Sequence, residues 1–421
     1  LPELGQVQQL VIDLLVFLAA PVLFWRLIRG VVPMAVLPIL FGLAISVAAA
    51  RFGFDKAIVG PSRLGETIGW LGVLVLAFSA GLETRMMATS NAPAGPRLIG
   101  TAVTALAIPF LIGAGAIATG LFDLVLAPPK GVSPLLGAAA IGLCLAVSAL
   151  PVLIGIVREL PAGDRPLGLV SLRIAALDDA ILWIGLAVLL AVKVGAAGAF
   201  FTFDWRHGLA VAVFAAMAAV RKPLDRWAEP PLAVAVLAGA AWLAAGVWAT
   251  TTLGLHELLG AYFAGVLMPV GVVRRLKPES LGRLALFGLS PLFFGHRGLS
   301  IDGSVLTPLA LVFACGIFIV AGLAKLAAVH IAPPEAGMPA LERARLSMLL
   351  QCKGLMEIVA ATILMKAGLI TQTSFAILVT MAVMSTSLTV PLFRTVSGLA
   401  ARRRAAGVSA KGATDGAAGK G

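Results

Sequence analysis

Two adjacent acids, Asp178 and Asp179, stand in the stretch AALDDAILWI at 175–184, inside an almost uninterrupted apolar run. If that run crosses a bilayer, the pair lies near its midplane, where one ionised Asp costs about 2.5–3.5 kcal/mol. Two like charges side by side cost more, so the pair must share a proton, bind a cation, meet a basic partner or face water. A carboxylate that holds either a proton or a small cation, but not both, is what exchange of protons for cations requires. The bland alternative is an acid satisfied by hydroxyls in ordinary helix packing.

Other polar positions interrupt apolar runs in the same way. In CLAVSALPVLIGIVREL, Pro151 breaks backbone bonding three residues after Ser148. In LLQCKGLMEIVAATIL, Gln351, Lys353, Gly354 and Glu357 fall within a turn and a half, the pattern of a discontinuous helix; a local i, i+4 pair between Lys353 and Glu357 is an equal reading. Arg173, Lys325 and Lys353 are the basic residues inside apolar segments, and Arg173 is expected to reach for an interface. Cys144, Cys315 and Cys352 have no metal-ligand spacing and read as small buried hydrophobes. His256 and Glu257 begin a zinc-protease pattern that Gly260 ends, since the second histidine is missing. No resident metal and no cofactor are expected.

The elements carrying these residues follow from composition. With 60% hydrophobic and 12% charged residues and a mean hydropathy of +1.02, the 421-residue chain reads as an all-α polytopic membrane protein. About thirteen segments are long and apolar enough: 7–25, 31–50, 65–82, 97–120, 135–158, 168–192, 207–221, 231–251, 255–271, 281–299, 305–331, 344–367 and 374–396. The net charge of +12 comes from scattered Lys and Arg rather than an aromatic-interleaved patch, so no nucleic-acid partner is expected. Those residues crowd the odd-numbered loops and the C-terminal stretch, which places the N-terminus outside and the C-terminus in the cytoplasm of a cell (inner) membrane. The first segment reads as a true span rather than a signal peptide, and 398–421 as a basic disordered tail. Segments one to six and eight to thirteen make two inverted repeats by position, with the broken fifth and twelfth matching each other. Paired broken helices point to a transporter site at the midplane.

The succession LGVLVLAFSAGLETR (71–85), AVSALPVLIGIVREL (146–160), ALDDAILWIGLAVLLAV (176–192), GLHELLGAYFAGVLMP (254–269), SPLFFGHRGLSID (290–302) and QCKGLMEIVAATILMKAGLI (351–370) resembles the monovalent cation:proton antiporter superfamily. The likeness runs through nearly all of 5–397 and is strongest to the branch of plant cation/proton exchangers and bacterial potassium-efflux antiporters. It implies exchange of Na+ or K+, with Li+ as a further cation, for protons by alternating access, with Asp179 as the cation and proton ligand. It further implies that Asp178 pairs with Lys325, the arrangement of electrogenic members that move two protons per cation. Snorkelling of Lys325 to the cytoplasmic interface is the rival. A moving core (about 97–192 and 305–396), a scaffold (about 7–82 and 231–299) and a homodimer formed through the scaffold in membrane lipid are implied as well.

Two stretches depart from the family pattern. Before Pro151, Ser148 is flanked by Val147 and Ala149 where many relatives carry two hydroxyls, so the cation shell is expected to be poorer in oxygen. His296 and Arg297 replace small apolar residues, either in a solvated loop or as a gate at the outer mouth. Two other functions share some of these features. An intramembrane aspartyl protease also uses two acids in the bilayer, but on separate helices facing each other. The membrane subunit of a ligand-gated potassium-efflux system would answer to a regulatory nucleotide-binding domain.

Overall fold

The structure is a computed structural model. It describes residues 5–418 apart from 29–33, 56–58, 60, 90–94, 121–125, 197–204, 226–228, 254, 302 and 304–306. Parts of the second and eleventh expected segments (31–33 and 305–306), Gly254 and Asp302 of the family-like stretches, and 419–421 of the tail lie outside the described residues.

Every regular element among the described residues is helical. In chain order they are α1 (Gln6–Leu27), α2 (Leu37–Phe52), α3 (Arg63–Thr89), α4 (Pro96–Ala118), α5 (Pro134–Ala146), α6 (Leu150–Glu159), α7 (Arg165–Ala196), α8 (Trp205–Leu224) and α9 (Leu232–Thr252). There follow α10 (Glu257–Val266), α11 (Val270–Leu276), α12 (Pro278–Leu284), α13 (Ser290–Ser300), α14 (Pro308–Ile331), α15 (Ala340–Leu350), α16 (Gly354–Lys366) and α17 (Gln372–Ala418). Each of the thirteen apolar segments falls on one of these helices or on a consecutive set. Eight described helices are long and apolar enough to cross a bilayer alone, or nine if α10 and α11, bent by 107°, count as one span. The shortfall from thirteen lies in short or interrupted segments such as α2, α5–α6, α12–α13 and α15–α16. This is a multi-pass membrane protein.

Local sequence explains the interruptions. α5 ends at Val147, whose extended backbone (φ −73°, ψ 146°) starts a short crossing strap, and α6 begins with Pro151 in its first turn, where a missing N–H costs nothing. α15 stops at Gln351, and α16 opens on Gly354 at φ +61°. A π-helical turn, Ala285–Leu289, joins α12 to α13. The backbone of α17 stays helical through Ala418, into the stretch whose composition suggests disorder; Ala, Arg and Lys there are strong helix formers.

Helices α1–α3 and α9–α13 pack on one another, and α4–α7 with α14–α17 do the same. Lipid-like surroundings provide no hydrophobic drive between helices, so close approach depends on small residues. Gly81 of α3 and Gly265 of α10 face each other so closely that a Cβ on Gly81 would lie 2.1 Å from the Tyr262 carbonyl oxygen. The two groups meet where α7 lies against α3 and α10.

Candidate functional site

The broken helices cross at their gaps and are tied there by polar bonds. The Ala149 amide donates to the Cys352 carbonyl at 2.8 Å, joining the two straps through their backbones. Ser148 Oγ donates to the Leu350 carbonyl, the end of α15, at 2.7 Å. Lys353 Nζ donates to the Leu145 carbonyl near the end of α5. Each strap thus satisfies carbonyls that the opposite helix leaves open, and an ammonium there meets the negative end of the helix dipole. From α17, Ser385 Oγ donates to the Gln351 carbonyl and Thr386 Oγ1 accepts from the Gly354 amide at 2.9 Å, while Gln351 Nε2 reaches the Phe318 carbonyl at 3.1 Å.

Against this crossing α7 presents both acids, each fully buried. Lys325 Nζ, also fully buried, donates to Asp178 Oδ2 at 3.0 Å and to Ser148 Oγ at 2.8 Å. The structure thus brings Lys325 and Asp178 together, with the ammonium held inside. Ser148 is occupied twice over, donating to one group and accepting from another. Asp179 is different: neither carboxylate oxygen has a hydrogen-bond partner among the described residues. The Leu150 amide, at the start of α6, faces this carboxylate, and Asp178 and Glu83 of α3 act on it electrostatically. This leaves one acid neutralised by a lysine and its neighbour open to a small guest.

A family model described as "Sodium/hydrogen exchanger, transmembrane" matches residues 14–395. The chain belongs to that family. Cation/H(+) antiporter 19 of Arabidopsis thaliana is 27% identical over 366 residues, covering 80% of this chain and 44% of the plant protein. The Na(+)/H(+) antiporter NhaS4 of Synechocystis is 26% identical, covering 60% of this chain and 63% of that one, and the K(+)/H(+) antiporter 1 of Saccharomyces cerevisiae is 27% identical, covering 77% and 38%. This family member thus spans less than half the length of the plant and yeast relatives. Among solved structures, the sodium proton antiporter MjNhaP1 from Methanocaldococcus jannaschii at pH 8 superimposes with a TM-score of 0.53 at 17% identity, covering 94% of this chain and 98% of that one. That likeness gives the fold.

The remaining candidates of this sodium/hydrogen exchanger homologue are placed as follows. Pro151 sits in the first turn of α6 and Gly354 at the start of α16, both at the crossing. Gln351 and Lys353 line it through the bonds above. Glu357 lies one turn into α16 and makes no ion pair with Lys353 among the described residues; its two oxygens are buried and unpartnered. His296 and Arg297 belong to a helix, α13, and not to a loop. His296 is only 5% exposed, with Nε2 3.1 Å from Asp13 Oδ2 and its ring edge-on to Phe17 at 5.3 Å. Asp13 Oδ2 also accepts from the Ser62 amide (3.1 Å) and hydroxyl (2.6 Å). The pair therefore belongs to the packing of α1, α3 and α13, away from Asp178 and Asp179. The Arg297 guanidinium lies over Phe293 at 5.0 Å. Cys144 and Cys352 are buried and Cys315 is exposed.

The sequence reading did not single out Asp13, Glu83 or Tyr262. Tyr262 of α10 stacks on Trp183 of α7 at 5.7 Å and shares a 3.2 Å hydrogen bond with Thr84. It is the chain's one tyrosine and falls in an apolar stretch where its hydroxyl needs a partner, which was the available signal. Glu83 was visible as the one acid within LGVLVLAFSAGLETR besides nothing charged but Arg85.

Proposed function

We propose that this protein exchanges a monovalent cation, Na+ or K+, for protons across the membrane by alternating access. The observation that carries the reading is Asp179: a fully buried carboxylate that no side chain among the described residues hydrogen-bonds, beside an acid already neutralised by Lys325. A bare carboxylate in that setting is costly, so it takes either a proton or a desolvated cation, and one guest displaces the other. Asp178 and Lys325 hold a net-neutral frame next to it. The relatives named for Na(+)/H(+) and K(+)/H(+) antiport support the class of cargo and leave the choice of cation to experiment.

In this reading α4–α7 and α14–α17 form the core that carries the site, and α1–α3 with α9–α13 form the scaffold. Scaffold faces pair in a homodimer, with the N-terminus outside and the C-terminus in the cytoplasm. The cycle is electrogenic, in keeping with an Asp-Asp doublet backed by lysine. The test is proton flux in proteoliposomes challenged in turn with Na+, K+ and Li+. Asp179→Asn is expected to abolish cation-driven proton movement, and wild-type rates in that variant would sink the mechanism.

A further inference from the structure

Aromatic side chains join the group α4–α7 with α14–α17 to the group α1–α3 with α9–α13. Trp183 of α7 stacks on Tyr262 of α10, ring centroids 5.7 Å apart and ring planes at 23°, and both side chains are buried. Lys366, the last residue of α16, holds its ammonium 5.3 Å from the centre of the Trp70 ring of α3. Both contacts lie on one side of the acids. Trp183 stands one turn beyond Asp179 on α7. The far end of that helix approaches the end of α16, where a Cβ on Gly368 would lie 3.2 Å from Lys193 Nζ. His256, which caps the start of α10, meets Trp70 edge-on at 5.8 Å. In the proposed topology this is the outer face.

The charged bonds at the opposite face run differently. Arg345 of α15 donates to Asp164, Glu342 and Ser397, all within α4–α7 and α14–α17. Arg85 of α3 donates to the Met268 carbonyl and to Asp225 beside the end of α8. Movement between the two groups at that face leaves these bonds intact, whereas movement at the outer face parts the rings.

The stack is also closely balanced. The Tyr262 hydroxyl is bonded to Thr84 at 3.2 Å, but Trp183 Nε1 is buried and has no acceptor among the described residues. A buried donor in that condition costs free energy, which the ring contact offsets. An opening that admits water to the indole returns the hydrogen bond as it loses the stack.

We propose that Trp183 and Tyr262 form the outer seal of the site, closed in this structure and parted each time Asp179 faces outward. The proposal rests on the antiport reading and names the contact that alternating access breaks on one side. Lys366 over Trp70 closes the mouth above it.

The test reads from which side the site can be reached. In a background without native cysteines, Asp179→Cys is treated with a small, charged, impermeant methanethiosulfonate, added to right-side-out or to everted vesicles. Labelling does not need turnover, so a variant lacking the acid still reports. Adding Tyr262→Ala is expected to speed labelling from outside about two- to tenfold, the shift that loss of an aromatic pair allows, with no gain from the cytoplasmic side. Tyr262→Phe, which keeps the ring, is expected to label at the parent rate. Outside labelling unchanged by Tyr262→Ala overturns the seal while leaving antiport intact, and so does acceleration from the cytoplasmic side alone. A Tyr262→Phe variant as fast as Tyr262→Ala overturns the stack as the cause. Labelling from neither side, with or without the Tyr262 change, overturns the antiport reading and this inference together. If Tyr262→Ala does not fold, Trp183→Leu takes its place under the same criteria.

Discussion

At the scale of single residues, the crossing separates one committed acid from one uncommitted acid a single position apart. Removing Lys325 leaves Asp178 as an isolated charge in a fully buried place. Lys325→Met is expected to cost about 3–5 kcal/mol of stability, and the double variant Asp178→Asn, Lys325→Met is expected to recover most of it. Thermal unfolding in detergent of the two singles and the double checks this; a double variant less stable than Lys325→Met contradicts the pairing. The acid doublet was legible in the chain because nothing else explains charge in so apolar a run. The lysine was not legible from spacing, since Lys325 is far away in sequence and only the family resemblance linked the two. Ser148 was read as the one hydroxyl lining the crossover before Pro151; that it also joins Lys325 to the end of α15 is something no local pattern announces.

At the scale of elements, both broken helices were readable from Pro151 and from the cluster at 351–357, because those residues cannot continue a helix quietly in lipid. What the sequence could not say is how tightly the gaps meet. Gly354 combines φ +61° with a neighbour so near that a Cβ would lie 2.6 Å from the Ala149 Cβ. Gly354→Ala is therefore expected to destabilise by about 2–5 kcal/mol, from left-handed backbone and overpacking together. Gly316→Ala in α14, where a Cβ meets nothing within 4 Å, serves as the contrast and is expected to be neutral or slightly stabilising. Melting points of the two variants decide the matter, and similar values would mean that the straps can separate. His296 shows the opposite limit of sequence reading. Its partner Asp13 sits on another helix, and an adjacent His-Arg pair looks the same whether it faces water or packing.

At the scale of the molecule, the proposed placement of the two termini rests on loop charge and has its own test. In a background without native cysteines, Lys130→Cys in the exposed turn between α4 and α5 should react with an impermeant maleimide in intact cells. Gly163→Cys, exposed between α6 and α7, should react only in everted vesicles. The reverse pattern would invert the topology. The three bonds that tie the straps at the crossing have a further bearing on how ions pass. Ala149, Ser148, Lys353 and Cys352 fasten the tips of the half-helices to one another, so a gap that widened into a conduit would have to break these bonds. In the proposed antiport an ion bound at Asp179 would then be ferried with its carboxylate, one load per stroke. Flux through this protein is expected to saturate with cation concentration and to slow steeply on cooling, and a planar bilayer recording should contain no unitary current steps.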